Sequence, residues 1–197
     1  MNINFIKVYH NVPNHIDKID EVEAKPGIYG WYYNFEALKE FCNNPIQLKK
    51  ELLDVSKKLK NPEFNTFLST KFGNSFKGVV EYDGKFKEKE INERIDMLSE
   101  DELKQMLSIL QNFTQPLYIG IAKNLKERYS THYDSILANI CAADKSIGKC
   151  FGHRIQQQEI SIKELVYKYQ VLDMERSNIE KIEFIANRFF KPIFGRR

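Results

Sequence analysis

Cysteine is scarce: only Cys42, Cys141 and Cys150 occur in 197 residues, widely spaced and without a CxxC pair. That spacing argues against a disulfide framework or a zinc site and leads to the expectation of a reducing, cytoplasmic setting. No apolar run reaches the roughly 18 residues needed to span a bilayer, so no membrane association is expected. The opening MNINFIKVYH has none of the basic start, apolar middle and small-residue cleavage site of a secretory signal. Internal repeats and low-complexity tracts are also missing, so the chain does not read as a repeat array or a disordered linker.

What is present is enough for a core: 42% of the residues are hydrophobic and 13% aromatic. A chain of this length is expected to form one domain, or one domain with a large insertion. Acidic and basic residues nearly balance up to residue 143, whereas residues 144–197 carry 11 basic against seven acidic side chains. A basic C-terminal part permits phosphate binding without requiring it.

Texture changes twice along the chain. Short β-prone runs, INFIKVY and GIYGWYY, occupy the first 35 residues, the second dense in aromatics and reading as a buried strand. From residue 36 the chain turns rich in Lys and Glu with helical spacing. Asn44-Pro45-Ile46-Gln47 is a helix start, followed by an apolar stripe of Leu48, Leu52, Val55 and Leu59. TFLSTKF and FKGVVEY with the Asp83-Gly84 turn suggest a hairpin. Ser99 and Glu102 form a capping box ahead of Leu103, Met106, Leu107 and Leu110. After Pro116 the β-prone texture returns in LYIGIA. Asn124 with Glu127 caps a helix, Ile162–Leu172 reads as a strand, and Ser177 with Glu180 reads as a capping box opening a last helix that ends by Lys191-Pro192. The expected architecture is therefore α/β (α+β), a small mixed or antiparallel sheet flanked by helices. Residues 1–35 and 114–197 form its core, and residues 36–113 a mainly helical insertion.

Two tripeptides end strand signals: Gly27-Ile28-Tyr29 and Tyr118-Ile119-Gly120. The second continues as YIGIAKNLKER, and His132 follows Arg128 by four residues, on the same face of the expected helix. Hydrolysing a phosphodiester requires an activated water, stabilised charge on a five-coordinate phosphorus and an eased alkoxide departure. Arg128 has the planar charged fork that suits phosphate oxygens. His132 can bond phosphate or shuttle a proton. Tyr29 and Tyr118 can bring two phenols from strand ends to one water or phosphate. Glu183 can hold a hard divalent cation. Gly120 needs no chemistry of its own, since lacking a Cβ it admits the close approach of another group.

Over residues 25–35 and 114–195 this combination resembles the GIY-YIG nuclease family. The resemblance implies a metal-dependent DNA endonuclease, with double-stranded DNA as partner and one Mg²⁺ or Mn²⁺ as cofactor. It implies that Tyr29 deprotonates or positions the water, that Tyr118 assists, that Arg128 stabilises the transition state and that Glu183 binds the metal. His132 matches a histidine found here in several branches of the family. Glu183 is preferred over Glu180 and Glu175 because it lies nine residues before Pro192, as the family pattern requires. The chain departs from that pattern at Ile121, at Gly195 and in the nearly 90 residues that separate the tripeptides.

Lys123, Lys126, His153, Arg154 and Lys191 are further candidates for DNA contact, although Phe151-Gly152-His153-Arg154 reads equally as a surface loop before a strand. The nearly neutral insertion is free to shape a DNA channel, to mediate homodimer formation or to dock a partner. The residues leave open DNA against RNA, and a catalytically inactive nucleic-acid-binding or protein-interaction module on the same fold is the alternative. If instead the two tripeptides are coincidental, Tyr29 and Tyr118 are expected to lie far apart.

Overall fold

The computed structural model describes residues 4–8, 19–59, 64–69, 75–80, 88–137 and 151–194. Four strands build one sheet: β1 (Asn4–Val8), β2 (Gly27–Tyr33), β5 (Tyr118–Ala122) and β6 (Leu165–Val171), in the order β1-β6-β2-β5. Every pairing in it is antiparallel. β3 (Phe64–Ser69) and β4 (Ser75–Val80) pair separately as an antiparallel ribbon, while the Asp83-Gly84 turn lies outside the described residues. The helices are α1 (Pro45–Lys58), α2 (Glu88–Ile95), α3 (Glu100–Phe113), α4 (Leu125–Leu137), α5 (Phe151–Gln157) and α6 (Arg176–Phe190). A 3₁₀ turn runs over Phe35–Phe41 and another over Ile162–Glu164, so the strand expected from Ile162 begins three residues later.

The three N-terminal signals drawn from side-chain hydrogen bonds hold. The Asn44 side chain accepts from the Gln47 N–H, Ser99 and Glu102 form their reciprocal box, and Asn124 accepts from the Glu127 N–H at 3.1 Å. The fourth does not. α6 starts at Arg176, with Glu175 at its N-cap and no side-chain cap, because Glu180 accepts from Arg176 Nε at 2.8 Å instead of closing on Ser177. A second correction concerns Phe151–Arg154, which opens α5 and is helical rather than looped. Gly152 explains why that helix can sit so near α4: a Cβ there would stand 2.6 Å from the Ser135 carbonyl oxygen.

Cross-strand register puts the aromatics of three strands on one face. Trp31 pairs with Tyr118 on one side and Tyr167 on the other, and Tyr29 pairs with Gly120 and Tyr169. Trp31 is fully buried, stacked on Tyr129 of α4 at 5.8 Å and on Phe151 of α5 at 5.8 Å, with Tyr167 edge-on at 5.0 Å. Burial of each such ring contributes on the order of 1.5–3 kcal/mol, and the edge and offset geometries add to it. Residues between 36 and 113 share this core: Leu48, Leu52, Leu103 and Leu107 belong to the same buried cluster as Trp31 and Tyr33. A polar staple reinforces the junction. Glu164 accepts from the Tyr33 hydroxyl at 2.7 Å and from Lys58 of α1 at 3.1 Å. Among the described residues no helix is long and apolar enough to cross a membrane.

Candidate functional site

Tyr29 and Tyr118 meet because β2 and β5 are neighbours, in spite of the long stretch of chain between them. Their ring centroids are 6.0 Å apart, which removes the expectation of a coincidental, separated pair. α4 crosses this face and delivers His132 to both phenols, at 5.5 Å from Tyr29 and 5.6 Å from Tyr118, with Phe151 packed behind it at 5.3 Å. Tyr29 Oη and His132 Nε2 are hydrogen-bonded at 2.9 Å in a buried position.

Gly120 makes that bond possible. A Cβ at this position would lie 2.7 Å from Tyr29 Oη and 2.9 Å from Tyr118 Cε1. The phenol therefore occupies the volume that any other residue on β5 would fill. Gly120→Ala is expected to push Tyr29 off His132 and to cost about 1–3 kcal/mol, because the buried ring has nowhere to move. Urea unfolding checks the stability. Loss of the Tyr29–His132 hydrogen bond is read from the imidazole ¹⁵N shifts.

Burial sets the electrostatics. It pushes the Tyr29 phenol far above its ordinary range, with Tyr118 adding to the rise and Arg128 opposing it. It lowers the His132 imidazole to about 3, and the nearby Arg128 guanidinium acts in the same direction. At neutral pH the pair is an un-ionised phenol against an uncharged imidazole. Two arrangements satisfy their bond: the phenol O–H donates to a bare Nε2, or Nε2–H donates to the phenol oxygen. In the first, the bare Nε2 accepts a hydrogen bond, and the opposed shifts of the two groups keep the proton on the phenol.

Arg128 lies one turn before His132 on α4 and is exposed, and its charge is felt by both buried partners. It also lines an open groove of about 470 Å³ together with Lys123, Ile121, Met174, Arg176 and Ile179. Groove and cluster thus share one helix, α4, which gives Arg128 to the first and His132 to the second.

Glu183 sits on α6, four residues after the buried Ile179 and half-buried on the same stripe, on a helix that packs against β5 and β2. Glu180, its rival, is exposed and ion-paired with Arg176. The other candidates are dispersed. Lys126 is paired with Asp20 at 2.6 Å, and Arg154 reaches back from α5 to donate to the Phe194 carbonyl. His153 is half-buried beside it on α5. Lys191 closes α6 in a left-handed conformation, with φ 44°, and its carbonyl accepts from Gln115. Among the described residues no group of three or more His, Cys, Asp or Glu side chains is gathered to cage a metal ion.

Three contributors escaped the sequence reading. Phe151 packs against Tyr118 and His132, Tyr167 stacks on Tyr29 at 5.4 Å, and Arg176 enters the groove. The alternation of Tyr167 and Tyr169 in LVYKYQV is the signal that marks the second of these. Comparison of the chain with protein-family models, curated proteins and solved structures finds no match.

Proposed function

We propose that this chain is a metal-dependent endonuclease of GIY-YIG type that hydrolyses phosphodiester bonds in double-stranded DNA. One observation carries the reading: two tyrosines from separate strands meet a histidine of α4, the helix that also bears the exposed Arg128. The cationic groove that Arg128 lines also supports it, since core packing alone does not call for such a groove.

The roles follow from exposure and charge. Tyr118 is half-buried, whereas Tyr29 is buried, so Tyr118 is the phenol that reaches solvent and positions a water or a phosphate oxygen. The bond to His132 fixes the orientation of the Tyr29 phenol, and Arg128 offers its fork to the non-bridging phosphate oxygens. A hard divalent cation of the Mg²⁺ kind is the cofactor this reading requires. One carboxylate, Glu183, on the inner stripe of α6 suits an ion that keeps most of its waters and takes the rest of its shell from substrate phosphate. Such an ion, when bound, neutralises charge building on the phosphorus oxygens.

The test is nicking of supercoiled plasmid by the purified protein with Mg²⁺ or Mn²⁺. Wild type is expected to convert plasmid to open circles. Glu183→Gln is expected to raise the metal concentration for half-maximal rate by about 10-fold or more. DNA binding without cleavage across Mg²⁺, Mn²⁺ and Co²⁺ would overturn the reading in favour of an interaction module.

A further inference from the structure

We infer that the groove beside Arg128 binds the nucleotide adjoining the scissile phosphodiester, and that Arg176 anchors its phosphate. The inference rests on the endonuclease reading for the identity of the strand, and on the groove itself for the site. Arg176 stands on the first turn of α6, far in sequence from Arg128, yet both guanidinium-bearing residues line the same 470 Å³ space. Lys123, exposed at the end of β5, is the third cation there. Glu127 is an acidic residue on the same lining, so positive charge prevails three to one.

Shape points the same way. The rim is cationic, while Ile121, Ile179 and Met174 supply apolar surface within it. A free inorganic anion has no use for that surface, but a nucleotide lays its sugar and base edge on it while the phosphate meets the rim. The volume falls within the usual range of small-molecule sites.

Geometry also explains how Arg176 is held. Its Nε donates to Glu180 Oε1 at 2.8 Å, one turn on, which leaves the two terminal nitrogens of the fork for an incoming phosphate. Both partners are exposed, so the ion pair contributes little to stability and serves to orient the side chain. Ile121 acquires a meaning here as well. The family pattern has a polar residue at this place, whereas here an apolar side chain lines the groove and the cations come from Lys123 and Arg176.

The experiment measures binding of a fluorescein-labelled DNA duplex by anisotropy, in EDTA, over a series of salt concentrations. Arg176→Ala is expected to weaken binding by about 10-fold and to lower the slope of log K against log salt by about 1, the signature of one lost phosphate contact. Arg176→Lys is expected to keep the slope and recover part of the affinity. Unchanged affinity and slope in Arg176→Ala, with wild type still cutting, would overturn the inference and leave the endonuclease reading standing. If wild type cuts no DNA, that reading fails and thymidine 3′,5′-bisphosphate, which carries a sugar and base edge as well as phosphate, becomes the probe, followed by ¹⁵N shifts of arginine side chains. Saturable binding lost in Arg176→Ala retains the phosphate site, and absence of binding overturns it.

Discussion

Arg128→Ala is expected to lower the single-turnover rate of DNA cleavage by about 10²–10³-fold, the usual effect of deleting one preorganised donor to a developing oxyanion. The side chain is exposed, so its removal leaves no cavity and no buried charge without a counterpart. The thermal midpoint should therefore move by no more than about 2 °C, which keeps lost chemistry distinct from lost fold. A second readout strengthens the assignment. Arg128 helps hold the imidazole of His132 uncharged, so its removal should let the His132 pKa rise towards the ordinary range. Imidazole ¹⁵N shifts followed against pH measure that directly. Arg128→Lys keeps the charge but loses the planar fork, and should recover the depressed pKa without recovering most of the rate. A rate within threefold of wild type in Arg128→Ala would remove this residue from the chemistry.

Much of this site is readable from local sequence, for a physical reason. Helix caps are made by side chains three residues apart, so Asn44, Ser99 and Asn124 announce their helices without reference to the rest of the fold. The same locality puts Arg128 and His132 on one face of α4. The pairing of Tyr29 with Gly120 is different. It depends on β2 and β5 being neighbours in the sheet and in one particular register, which no local pattern contains. Ser177 misled because a capping box competes with an ordinary i,i+4 ion pair, and here Arg176 wins Glu180 by starting the helix two residues early. α5 escaped because a seven-residue helix has too few turns to display a period, and its Gly152 reads as a loop residue until the Ser135 carbonyl is seen against it. Arg176 was invisible because its partner across the groove is brought by topology.

The junction with residues 36–113 also bears on how the site is held. Tyr33 continues β2 two residues beyond Trp31, and its hydroxyl ends on Glu164, which Lys58 of α1 also grips. Gln111 of α3 donates to the Tyr33 carbonyl at 3.2 Å. Two helices of the inserted stretch thus fix the far end of the strand that carries Tyr29. A catalytic constellation needs its supporting residues locked to within fractions of an ångström. On this geometry the long connection between the tripeptides belongs to the packing of the site, in addition to any contact it makes with a partner.

Acid should destabilise this protein through His132 before it affects most of the surface. The imidazole carries its proton below its ordinary pKa of 6.5 when the chain is unfolded, but only near 3 when it is folded and buried. Across that window the unfolded state binds the extra proton, so stability is fully present above pH 6.5 and falls as the pH drops towards 3. The slope approaches 1.4 kcal/mol per pH unit, which amounts to roughly 3 kcal/mol by pH 4. His132→Gln keeps a polar group opposite Tyr29 but cannot titrate, so its stability should be flatter than wild type over the same interval, whatever constant amount the substitution removes at pH 7. Urea midpoints at half-unit steps from pH 7.5 to 4 supply the comparison. Parallel curves for the two proteins would mean that the folded imidazole takes up its proton normally. The buried neutral pair at the centre of the proposed mechanism would then not exist. Converging curves would establish that His132 stays uncharged at neutral pH, where it holds the Tyr29 phenol by a hydrogen bond without taking its proton.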